Sequence, residues 1–160
     1  MPPEGLALVD LFKGRSFDLA AAQARLGDAC KAEGLPFTAR DRTYNTRMAQ
    51  ELAVWAEDRG RPDVHAAYFR ATFVDGLNTG DREVAIAVVV GLGLDAGEAR
   101  AVLDEGRSKA RVDADWALAR QVGVTGVPTY VAEGRGVVGA QPYETLVRLV
   151  TMAGARERAV

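Results

Sequence analysis

The chain has 160 residues, 48% of them hydrophobic and 26% charged, with a formal net charge of −2. That length supports one globular domain with its own core. Both signs of charge are interspersed, so neither a nucleic acid nor a membrane is expected as a partner. Nearly all the positive charge is arginine, with lysine at Lys13, Lys31 and Lys109, which we attribute to genome composition. A single cysteine, Cys30, excludes an internal disulfide, and one cysteine with one histidine, His65, is no zinc set. Met1-Pro2-Pro3-Glu4 has no basic and apolar leader pattern, and Val84 to Leu94 is too short an apolar run to span a bilayer. A cytoplasmic setting is therefore expected.

The segment from Met1 to Gly14 is punctuated by proline and glycine around one apolar cluster, Leu6, Leu8, Leu11 and Phe12. A helix is predicted from about Phe17 to Glu33, capped by Ser16 or Asp18 and ended by Gly34 and Pro36. Leu19, Ala22, Leu26, Ala29 and Cys30 fall at helical spacing, which puts Cys30 on or beside the expected buried face. A second helix is predicted from Asn45, as N-cap, to Asp58, with Met48, Leu52 and Trp55 on one stripe and Gly60 closing it. Pro62 suits the start of a third, carrying His65, Tyr68, Phe69, Thr72 and Phe73.

After the turn-rich Asp75 to Asp81, Asp81 can cap a short apolar helix over Val84–Val90, which Gly91 and Gly93 break. Asp95 with Glu98 reads as a capping box for the next helix. From Ser108 to Val122 a helix is expected to turn Val112, Trp116 and Ala119 inward. Thr129–Ala132 and Gly136–Val138 then read as a hairpin around Glu133-Gly134-Arg135. Pro142 opens a last helix with Leu146, Leu149 and Val150 inward. Helices dominate, and only about two strands are recognisable.

Between the Ser108 helix and the hairpin lies Gly123-Val124-Thr125-Gly126-Val127-Pro128-Thr129-Tyr130. Proline lacks an N–H and is normally kept out of a central strand, so one at a strand's first residue has a positional reason. An X-Pro bond is also where a cis peptide costs little, about 0.5–1 kcal/mol. Gly123 and Gly126 supply the backbone freedom to turn on either side of Val124 and Thr125.

This order of helix, Gly-Val-Pro loop, strand, strand and helix resembles the C-terminal half of the thioredoxin fold. The wording Gly123-Val124-Thr125-Gly126-Val127-Pro128, followed by Gly139-Ala140-Gln141-Pro142-Tyr143-Glu144-Thr145-Leu146, is similar to the FrnE-like group of the DsbA-family oxidoreductases. The resemblance extends over Thr43-Tyr44-Asn45-Thr46-Arg47, Phe69 to Phe73, Gly80 to Val84, and the break at Gly91 and Gly93. It implies an α/β, thioredoxin-like domain over residues 1–160, helix-dominated and with an incomplete sheet. Residues 1–15 form an N-terminal segment, 16–122 an inserted helical lobe, and 123–160 the C-terminal thioredoxin half.

In the family a strand, a Cys-x-x-Cys helix and another strand precede the lobe. The Cys-x-x-Cys pair is absent, and Met1 to Gly14 is too short for such a unit. The strand opened by Pro128 would then be an exposed edge. A truncated or mis-started version of a longer protein is the favoured expectation. The alternatives are an edge covered by the chain's own N-terminus or by a second copy.

The resemblance implies thiol–disulfide oxidoreductase or isomerase activity on protein or small-molecule disulfides, with no cofactor. Thr125, Gly126, Val127 and Pro128 would present the substrate. No catalytic residue is assigned, because Cys30 lies inside a helix without a resolving partner. Cys30 reads as a small core hydrophobe; exposed beside Lys31, it would instead be a possible reactive thiol.

Among the other candidates, a Cys30–His65 couple is not required by the spacing, and Asp113 and Asp115 face different sides of their helix. Gly91-Leu92-Gly93 reads as a helix stop rather than a dinucleotide loop, while Tyr44, Trp55 and Tyr68 are candidate groove residues. Two alternatives stay open. One is an enzyme like the kappa-class glutathione transferases and hydroxychromene-carboxylate isomerases, which share the Gly-Val-Pro loop and use a serine with bound glutathione. The other is a non-catalytic domain that binds peptides or forms a homodimer through the Thr129–Ala132 edge.

Overall fold

The computed structural model describes residues 2, 4–14, 16–156 and 158. The elements are β1 (Leu6–Ala7), α1 (Leu8–Leu11), α2 (Leu19–Ala32), β2 (Arg42–Thr43), α3 (Arg47–Glu57) and α4 (Val64–Phe73). They continue with α5 (Arg82–Gly91), α6 (Ala96–Asp104), α7 (Lys109–Gln121), β3 (Thr129–Ala132), β4 (Arg135–Val138) and α8 (Tyr143–Met152). Helix predominates, and the strands make two two-stranded sheets, β1–β2 and β3–β4, in keeping with the helix-rich α/β class read from the sequence. The chain divides into two compact units, Met1–Asp113 and Ala114–Val160, with the division inside α7.

The first unit is built on α3, which packs against α4, α5 and α6. Its inward face is Ala49, Leu52, Ala53 and Ala56, and small side chains at such positions let neighbouring helices approach closely. Leu52, Val64, Val89 and Val102 are the largest fully buried side chains, and each comes from a different one of these four helices. Tyr68 and Trp55 also lie in this core rather than along a groove, which corrects the expectation for both. The Tyr68 hydroxyl reaches a partner, donating to the Ala85 carbonyl at 2.8 Å. Trp55 Nε1 has none among the described residues, and its indole is covered by Arg59, 4.7 Å from the ring centroid.

Local signals set the helix starts. Asp18 accepts from the Ala21 N–H at 2.9 Å, and Asp95 from the Glu98 N–H at 2.7 Å. Asp81 accepts from the Glu83 and Val84 N–H groups at 2.9 and 3.0 Å. Each carboxylate fills donors that the first turn leaves open. Asn45 stands one residue too early to cap α3; Thr46 is the N-cap, and Asn45 Oδ1 instead accepts from the Arg47 N–H at 3.1 Å. After α5, Leu94 N–H reaches the Val89 carbonyl and Gly93 adopts φ +85°, so Gly91-Leu92-Gly93 does stop the helix.

Arginine also ties the helices together. Arg47 binds Glu51 at 2.6 Å, Asp113 at 2.6 Å and the Lys109 carbonyl at 2.9 Å, joining α3 to α7. Arg82–Asp104 and Arg100–Glu83, each at 2.7 Å, link α5 and α6, and Arg59 pairs with Glu98. A planar fork satisfies several acceptors at once, which a lysine ammonium does less well.

Two faces differ from expectation. Helix α2 has no fully buried residue: Leu26 and Ala29 are exposed, while Gln23, Gly27 and Cys30 lie half-buried. Its inward side is therefore rotated from the predicted stripe, with Gln23 accepting from the Arg40 N–H and Gly27 beside Phe37. Trp116, expected inward, is 42% exposed. The N-terminal segment contains an unexpected strand: Leu6 pairs with Thr43 and Ala7 with Arg42, a bridge too short to show a period-two pattern.

A Leu52→Ala change should lower the unfolding free energy by about 2–5 kcal/mol, read from denaturant titration, because it leaves a cavity where four helices meet. Burial pushes the Tyr68 hydroxyl above its ordinary pKa. The folded value lies above the unfolded one, so this contribution is complete below about pH 10 and is lost as pH climbs through the raised value. Tyr68→Phe should cost about 1 kcal/mol at neutral pH and flatten the alkaline fall in stability, measured by urea unfolding across pH 8 to 12.

Candidate functional site

The second unit holds the end of α7, the loop to β3, the hairpin and α8. Helix α7 ends with Gly123 at φ +77°, its N–H on the Arg120 carbonyl at 3.1 Å and the Val124 N–H on the Ala119 carbonyl at 2.9 Å. Both bonds close the helix and turn the chain sharply at a residue without a Cβ. Thr125, Gly126, Val127 and Pro128 follow, with the Val127–Pro128 peptide cis. Val127 is 88% exposed, so its side chain projects from the loop, and Pro128 is exposed beside it.

The loop is held from both ends. The Thr129 hydroxyl donates to the Gly126 carbonyl at 2.6 Å, and the Gly139 N–H donates to the Pro128 carbonyl at 2.7 Å. A Cβ on Gly126 would sit 3.3 Å from Val138 Cγ1, so the loop backbone passes close to β4. Residues 125–128 are consecutive, and these two bonds fix how they are displayed. Thr129 and Gly139 both stand in motifs read from the sequence, but the sequence assigns neither a part in holding the loop; a hydroxyl three residues after a glycine is the one local hint.

The hairpin pairs Thr129 with Val138, Tyr130 with Val137, Val131 with Gly136 and Ala132 with Arg135. Its turn is two residues, Glu133 and Gly134, with φ +47° and +72°, the type I′ signature. Arg135, expected in the turn, is the first residue of β4. Helix α8 packs on both strands, with Leu149 buried, Leu146 half-buried and Val150, expected inward, exposed.

The remaining candidates lie elsewhere. Cys30 is half-buried late in α2, and His65 Nε2 faces Glu57 Oε1 at 2.9 Å rather than forming part of a site. No group of three potential metal ligands occurs among the described residues. A cleft of about 330 Å³ lies in the first unit, lined by Asn45, Arg47, Met48, Gly80, Asp81 and Arg82 among others. It forms where Gly80 packs so closely on Asn45 that a Cβ would come within 2.6 Å of the Asn45 carbonyl. Its arginines are already engaged with Glu51, Asp113 and Asp104, and its volume does not mark it as the chemical site.

A helix closed by glycine, a Val-Pro loop, a hairpin and a packed last helix define a thioredoxin-like protein. The chain belongs to the DSBA-like thioredoxin domain family, whose pattern it matches over residues 12–151. A solved structure of a probable DsbA oxidoreductase from Streptomyces coelicolor is 37% identical, with a TM-score of 0.78, covering 96% of this chain and 69% of its own. A candidate protein disulfide isomerase from Nitrosomonas europaea shares the fold at 20% identity and TM-score 0.59, covering 83% of this chain and 72% of its own. No curated protein matches the chain. With Cys30 as its single cysteine, this member of an oxidoreductase family has no Cys-x-x-Cys pair.

Thr129→Val keeps the side-chain shape but removes the bond to the Gly126 carbonyl. It should cost about 1 kcal/mol and raise amide exchange at Gly126 and Val127 before the helices of the first unit are affected, which exchange mass spectrometry would resolve.

Proposed function

We propose that this chain acts as a substrate-presenting DsbA-like domain that binds extended polypeptides at Thr125–Pro128 and performs no dithiol chemistry by itself. What carries the reading is the outward Val127 ahead of Pro128, on a loop tied to Thr129 and Gly139, in a family of oxidoreductases. Main-chain groups and one apolar side chain suffice to hold an extended segment, since β-augmentation draws its affinity from the backbone. The segments Gly123–Pro128 and Gly139–Leu146 favour the FrnE-like group, with protein or small-molecule disulfides as the substrate class. The unpaired cysteine supports a reducing, cytoplasmic setting.

Disulfide exchange requires an attacking thiolate and a resolving thiol, and Cys30 offers at most the first. Insulin-disulfide reduction by the chain should therefore stay at the buffer rate and be unchanged in Cys30→Ser. Turnover that depends on Cys30 would refute the reading. Reduced and alkylated insulin B chain should bind, and Val127→Asp should weaken that binding about tenfold, roughly 1.4 kcal/mol. Binding of glutathione instead of the peptide would favour the glutathione-dependent relatives.

A further inference from the structure

Asp75-Gly76 is the one Asp-Gly step in the chain, and no asparagine precedes a glycine. It lies just past α4, where the Asp75 N–H donates to the Arg70 carbonyl at 3.0 Å and the Leu77 N–H to the Ala71 carbonyl at 2.8 Å. The amide between them, the Gly76 N–H, has no acceptor among the described residues. Gly76 adopts φ +67°, and a Cβ placed on it would meet nothing within 4 Å, so its nitrogen is uncrowded. The neighbouring carboxylate is loosely held as well. Asp58, Asp63, Asp104 and Asp113 each grip an arginine at 2.6–2.7 Å, and the three N-cap aspartates accept from backbone N–H groups. Asp75 has only Arg70 among the described residues, at 3.7 Å and beyond hydrogen-bond range.

We propose that Asp75 is a modification site, at which the folded chain converts its own aspartate to isoaspartate. The Gly76 nitrogen attacks Cγ of the protonated Asp75 side chain. An N–Cγ bond forms, the Cγ–OH bond breaks, and the amide proton leaves with the hydroxyl as water. The five-membered succinimide so formed contains Asp75 C, Cα, Cβ and Cγ and the Gly76 nitrogen. Water adding at Cγ restores aspartate. Water adding at the main-chain carbonyl carbon leaves the backbone running through Cβ and Cγ. No oxidant, reductant or second protein is consumed, and both reacting groups belong to adjacent residues. A Cβ on the residue after the aspartate crowds this closure, and every other aspartate is followed by a residue that has one.

The isoaspartyl link puts one more atom into the backbone between the Asp75 and Leu77 N–H groups, so the two bonds that close α4 no longer fit together. Two residues further on, Thr79 is 2% exposed with its hydroxyl 3.0 Å from that of Thr72, and Gly80 packs on Asn45. The modification therefore acts on the end of α4 and on the approach of Gly80 to Asn45. It involves no residue of the Thr125–Pro128 loop and is independent of the substrate role proposed there.

The test holds the 160-residue chain for weeks in warm, mildly acidic buffer, beside a synthetic peptide of residues 71–82 as the unfolded reference. Trypsin releases that same peptide from the protein, and chromatography with electron-transfer fragmentation separates isoaspartate from aspartate in it. Isoaspartate should build up in the folded chain at Asp75 and at no other aspartate, Asp81 of the same peptide included. Its rate should lie within about tenfold of the free peptide's, and the Leu77 amide should exchange faster in aged protein than in fresh. Asp75→Glu keeps the charge but would need a six-membered ring, and should show neither change. A folded chain that forms no isoaspartate at Asp75 while the peptide does would overturn the inference. So would a rate further than about tenfold below the peptide's, isoaspartate spread evenly over the aspartates, or a modified protein in which Leu77 exchange is unaltered.

Discussion

Leu52 and Ala56 are completely removed from solvent on α3, and the three helices around them present Val64, Val89 and Val102, equally buried. This junction constrains the first unit. Four helices can share one small volume only if the central one offers alanine over much of its inward face, and α3 does so at Ala49, Ala53 and Ala56. Larger residues there would force the neighbours apart and open voids that close packing does not tolerate. The arginine pairs around the rim follow from the junction. Once α5 and α6 are packed side by side, Arg82 and Arg100 come within reach of Asp104 and Glu83. Such exposed pairs contribute little energy one at a time and mainly fix orientation.

The second unit is organised by backbone geometry instead of burial. Leu149 is its one buried hydrophobic residue among those described, while Val127, Val131, Val138 and Tyr143 keep much of their surface. Hydrogen bonds hold its shape: the closure at Gly123, the Thr129 hydroxyl on Gly126, and the type I′ turn at Glu133-Gly134. A loop fixed in this way displays side chains without needing a large core behind it.

The two units therefore carry different consequences for substitution. Changes in the α3 junction act on stability through cavities. Changes in the β3 region act through the backbone hydrogen bonds of the hairpin and its loop.

Much of this was legible in the sequence because the signals are local. Asp18, Asp81 and Asp95 cap helices by reaching donors two or three residues ahead, and Gly93 and Gly123 end them within one turn. The Gly-Val-Pro loop, the hairpin and the family were readable for the same reason. Tertiary structure alone decided which side of α2 turns inward, that Trp55 and Tyr68 lie in the core, and that Trp116 faces outward. It also decided the pairing of Leu6–Ala7 with Arg42–Thr43 and the approach of Gly80 to Asn45. The last two join residues about 35 apart in the chain, and for the helices periodicity gives a spacing but not the direction from which a neighbour arrives.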